Sequence, residues 1–62
     1  RSPYLKLPAK LGTKIKNLEV EFRRPGFGIS PKEWEDLVEL DLVLKNDVEA
    51  NQYLNCNDFI SK

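Results

Sequence analysis

The fifteen residues RRPGFGISPKEWEDL, Arg23 to Leu37, constrain this chain more than any other stretch. They end a strand, break the backbone and start a helix without a gap. Before them, in LEVEFRR, Val20 and Phe22 point one way while Glu19, Glu21 and Arg23 point the other, the period-two pattern of a half-buried strand. Arg24-Pro25-Gly26-Phe27 then places Pro and Gly at the central positions that a type II turn prefers, and Gly28 adds backbone freedom. Ser30-Pro31-Lys32-Glu33 follows as a helix start, with Ser30 as N-cap, Pro31 in the first turn and Glu33 as the reciprocal capping partner. Glu33, Glu35 and Asp36 favour the positive end of the helix dipole, and Trp34, Leu37 and Val38 share one face. The helix is predicted to be short, because Leu40, Leu42 and Leu44 alternate as a strand would before the polar break Lys45-Asn46-Asp47.

Around this centre the rest of the chain reads as turns and short strands. Tyr4 to Leu7 alternates and stops at Pro8, a strand or extended lead-in, and Gly12-Thr13 marks a turn. A weak repeat links AKLGTKIKNLEV, from Ala9, to VEANQYLNCNDF, from Val48, at an offset of 39 residues. It matches Ala9 with Val48, Ile15 with Leu54 and Val20 with Phe59, and sets Gly12 opposite Asn51. Glycine and asparagine most readily take a left-handed backbone, so both are predicted at positive φ. Two turn-strand units related by an approximate twofold axis around one small core are the expectation.

Composition narrows the chemistry. A chain of 62 residues buries only about 60% of its unfolded surface, so it supports one domain, residues 1–62. With 40% hydrophobic and 32% charged residues it reads as folded, and its apolar runs fall far short of the ~20 residues that span a bilayer. No membrane contact is expected. There is no histidine, which removes the commonest general base and zinc ligand, and Cys56 is the single cysteine. An intrachain disulfide is therefore impossible, Cys56 is expected to be a small half-buried residue, and the reading is a reducing, cytoplasmic compartment. The absence of methionine and the start at Arg-Ser-Pro point to a piece of a longer protein.

Net charge is zero but divided. Residues 1–32 carry eight Lys/Arg against Glu19 and Glu21, whereas residues 33–62 carry eight Asp/Glu against Lys45 and Lys62. Mutual neutralisation of the halves is the favoured reading over an anionic ligand. Lys10, Lys14 and Lys16 lack interleaved aromatics, so no nucleic acid is expected.

GTKIKNLEVEFRRPGFGISPKEWEDLV closely resembles the C-terminal antifreeze-like, or SAF, domain of bacterial sialic acid synthases, and NDVEANQYLNCNDFI resembles that family's closing segment. The resemblance implies a mostly β chain with short helical turns, a β-clip with internal pseudo-twofold symmetry, a fold shared with fish type III antifreeze proteins. It implies a parent enzyme that condenses phosphoenolpyruvate with N-acetylmannosamine or a related amino sugar, using Mn or Mg held in an N-terminal TIM barrel. It further implies a domain-swapped homodimer in which this domain caps the partner's barrel and Arg24 reaches the sugar's acylamino group. Pro25, Gly26, Phe27 and Gly28 would support that loop; no catalytic residue, cofactor or metal is expected in this chain itself. The sequence departs from the family at Glu39-Leu40, where Gly-Lys is usual, and at Asn51, where glycine is usual. Two other readings compete: an ice-binding protein, opposed by Lys10, Lys14 and Lys16 around Thr13, and an SAF domain of a sugar-acid dehydratase or assembly chaperone.

Overall fold

Leu5 and Leu44, both fully buried, organise the computed structural model, which describes residues 1–26 and 28–61. Each ends a strand and pairs across an antiparallel ladder with the first residue of another. β1 (Ser2–Leu5) pairs with β2 (Val20–Arg23) so that Leu5 lies opposite Val20; β3 (Leu42–Leu44) pairs with β4 (Phe59–Ser61) so that Leu44 lies opposite Phe59. One helix, α1 (Pro31–Glu39), and two 3₁₀ turns, Ile15–Asn17 and Cys56–Asp58, complete a mostly β chain.

The two sheets are copies of one hydrogen-bond frame. Leu44 N–H donates to Thr13 and Gly12 N–H donates to Leu44; thirty-nine residues away, Leu5 N–H donates to Gln52 and Asn51 N–H donates to Leu5. Lys6 to Glu19 repeats as Lys45 to Asp58, and the bridge Lys14–Val43 repeats as Tyr53–Tyr4. Ala9 and Val48, matched in the repeat, bond to each other in both directions at 2.9 and 2.8 Å. Gly12 and Asn51 have φ of 88° and 70°, as their alignment predicts.

The core gathers matched pairs from the two copies, Leu5 with Leu44 and Ile15 with Leu54, together with Val48 and Phe59. Ile29 and Trp34 enter from the segment between the copies, and the Trp34 ring meets Phe59 edge-on at 5.8 Å. That contact fixes α1, whose Leu37 and Val38 pack half-buried beside it. The helix starts as predicted: Glu33 N–H donates to Ser30 Oγ at 3.2 Å and Ser30 N–H to Glu33 Oε1 at 3.0 Å.

Other expectations need correction. β1 runs from Ser2 rather than Tyr4 and ends at Leu5, leaving Leu7 exposed, because Leu5 is the core residue and Pro8 has no N–H to continue a ladder. Leu40 is not in a strand: it caps α1 with its N–H on Leu37 and Val38 and stays exposed, and Asp41 at φ 55° turns the chain into β3. Val43 is buried beside Leu44, so β3 does not alternate. Cys56 is exposed, because the turn capped by Asn55 and Asp58 delivers Phe59, not Cys56, to the core. Among the described residues the contact ion pair is Arg23–Glu21, within the basic half.

Candidate functional site

The loop that leaves β2 separates two adjacent arginines into different roles. Arg23 closes the ladder opposite Ser2 and is held from three sides. Its Nε donates to Glu21 Oε1 at 3.0 Å, one terminal nitrogen donates to Asn51 Oδ1 at 3.2 Å, and the guanidinium lies over the Tyr4 ring, 5.3 Å from its centre. Arg24, the next residue, is exposed and makes no hydrogen bond or ion pair among the described residues. A guanidinium keeps its charge at any working pH and offers five donors in a fixed fork. Among the described residues none of the Arg24 donors is engaged.

The backbone beneath Arg24 is fastened at several points. The Arg24–Pro25 peptide is cis, and the Pro25 carbonyl accepts from the Tyr4 hydroxyl at 3.3 Å. Gly28 N–H donates to the buried Ser2 Oγ at 2.9 Å. Ile29, 2% exposed, then pins the loop to the core, and the Ser30 cap begins α1 immediately afterwards.

The glycines do not act as predicted. Gly26 lacks the positive φ that a type II turn requires at that position. Close packing accounts for it: a Cβ on Gly26 would stand 2.9 Å from the Arg1 backbone nitrogen, and one on Gly28 would stand 2.6 Å from the Leu54 carbonyl oxygen. Their close approach is to this chain's own backbone. Phe27, counted with the loop in the sequence reading, lies outside the described residues.

The structure thus brings Pro25, Gly26 and Gly28 together under an unengaged Arg24. It adds Ser2, Tyr4, Arg23 and Asn51, which no spacing rule connects, since the contacts from Tyr4 and Arg23 span 21 and 28 residues. The signal for Asn51 was its place opposite Gly12. A shallow cleft of about 440 Å³ lined by Asn51, Gln52, Tyr53 and Asp58 lies on the second copy. Arg24 lies outside this cleft and is exposed.

Among the described residues no group of three or more His, Cys, Asp or Glu side chains is placed to hold a metal ion, and no helix is long and apolar enough to cross a membrane. No protein-family model matches the chain, and no match is found among curated proteins or solved structures.

Proposed function

We propose that this chain is the capping domain of a sialic acid synthase-type enzyme, a β-clip that presents Arg24 to the amino-sugar substrate bound in the barrel of a partner subunit. The observation that carries the reading is the contrast between Arg23, tied to Glu21, Asn51 and Tyr4, and Arg24, exposed above a fastened loop. The motif Arg24-Pro25-Gly26-x-Gly28-Ile29-Ser30 supports it from the sequence side.

In this reading Arg24 donates to the acylamino carbonyl oxygen of the sugar and adds positive potential above an anionic pocket. Its part is to bind and orient the sugar through its fixed fork of donors. The Mn or Mg of the parent enzyme would take its ligands from the barrel, since the described residues of this chain supply no set for it. The ice-binding reading is weakened by Thr13, whose hydroxyl is spent on the Lys10 carbonyl at 2.7 Å.

Kinetics of Arg24→Ala in the full-length protein test the proposal. Loss of a charged hydrogen bond costs about 1.5–3 kcal/mol, so kcat/KM for the amino sugar should fall roughly ten- to more than a hundredfold. Phosphoenolpyruvate affinity should change little. A wild-type kcat/KM for the amino sugar would reduce the loop to a structural turn.

A further inference from the structure

Asn51 is not required by its own backbone. Its mate Gly12 occupies the same left-handed turn, at φ 88° against 70°, and makes the equivalent N–H donation to a buried leucine carbonyl. Glycine suits such a conformation at least as well as asparagine. What asparagine adds is an amide oxygen, and that oxygen accepts from Arg23 at 3.2 Å.

From Arg23 the contacts lead directly to the loop. Its guanidinium covers one side of Tyr4, and the Tyr53 ring packs against Tyr4 with centroids 6.0 Å apart. A ring held this way has little freedom, and its hydroxyl reaches the carbonyl of Pro25, the residue after Arg24. The Gly28–Ser2 hydrogen bond fastens the far end of the same loop.

We propose that Asn51, Arg23 and Tyr4 are positioning residues that fix the direction of Arg24, so that the turn of the second copy controls the loop that follows the first. The proposal rests on the reading of Arg24 as the substrate-contacting group; none of the three touches substrate in it. It also gives the second turn's asparagine a reason, since glycine there would keep the fold and lose the link.

Asn51→Gly tests this cleanly because the backbone conformation is kept while the acceptor is removed. In the 62-residue chain its melting midpoint should match wild type. The amide order parameter of Arg24, measured by ¹⁵N relaxation, should fall from the rigid range of about 0.85 to below about 0.6. Tyr4→Phe, which keeps the ring and removes the hydroxyl, should loosen Arg24 equally, and Asn51→Asp, which restores an acceptor, should keep it rigid. An unchanged order parameter at Arg24 in Asn51→Gly overturns the proposal, as does loosening that extends to the amides of Ala9 and Gly12. Loosening by Tyr4→Phe alone overturns it too, since the link would then begin at Tyr4. In the full-length protein, Asn51→Gly should raise KM for the amino sugar severalfold while leaving that for phosphoenolpyruvate unchanged. A silent Arg24→Ala in the same assay would remove the functional reading, while the order parameters would still judge the positioning.

Discussion

Residues 2–23 and 41–61 are built on one frame, whereas residues 24–40 belong to neither copy. The copies share their ladder register, their left-handed turns and the mutual bonding of Ala9 with Val48. The segment between them carries Arg24, the fastened loop, Ile29 and α1. Repetition explains how so short a chain closes a core: each copy covers the apolar face of the other, and Ile29 and Trp34 fill what remains. The unrepeated segment is then free to carry a group that the core does not use, and Arg24 is that group.

The sharpest way to break the equivalence of the copies is to empty matched core positions. Leu5→Ala and Leu44→Ala each remove a fully buried side chain, and each should cost about 2–5 kcal/mol. For a chain of this size, whose total stability is about 3–9 kcal/mol, either change leaves a marginal fold. Urea denaturation should give equal losses within error. A loss at one position and none at the other would show that the copies share hydrogen bonds but not load.

A smaller effect separates the turns. A Cβ at Gly12 would meet nothing within 4 Å, so Gly12→Ala should cost only the left-handed backbone, about 1–2 kcal/mol. Gly12→Asn should recover most of that, as the natural Asn51 implies. If both substitutions cost the same, the turns differ in more than backbone conformation, and the comparison fails at its most symmetric point.

These contrasts also mark what could be read in the residues. Local chemistry was legible: Ser30 and Glu33 sit three apart and cap each other, Val20 to Phe22 alternates, and Gly12 and Asn51 announce their φ by residue type. Strand ends were not, because burial of Leu5 and exposure of Leu7 and Leu40 depend on the partner strand rather than on spacing. Cys56 was misread for the same reason, its turn being oriented by Phe59. At the site, Arg24 and its loop were visible as a motif, but the glycines turned out to serve internal packing. The supports at Ser2, Tyr4 and Asn51 come from distant parts of the chain and could only be seen in the fold.

The smallest effect belongs to the unrepeated segment alone. Hydrogen bonds from the Ser30 backbone N–H first, and from its side chain second, hold the Glu33 carboxyl below its ordinary value. A group whose folded pKa is depressed contributes stability that is present above its unfolded pKa and is lost as pH falls through the folded one. Glu33→Gln, which keeps an acceptor but cannot titrate, should therefore flatten slightly the acid limb of stability below the usual glutamate range. The melting point should be slightly lower than wild type at neutral pH and should converge with it in acid, where Glu33 is protonated. An acid limb identical to wild type would show that the cap's charge is irrelevant to α1.

The proposed action of Arg24 across subunits is measured most directly by complementation. Full-length chains carrying Arg24→Ala are mixed with full-length chains disabled in the proposed barrel, under conditions of verified subunit exchange. In each heterodimer one hybrid site then combines an intact barrel with an intact Arg24 from the other chain. Activity should return to a substantial fraction of wild type, although neither mutant alone shows it. No recovery would contradict the account, because Arg24 would then be acting within its own chain or not at all.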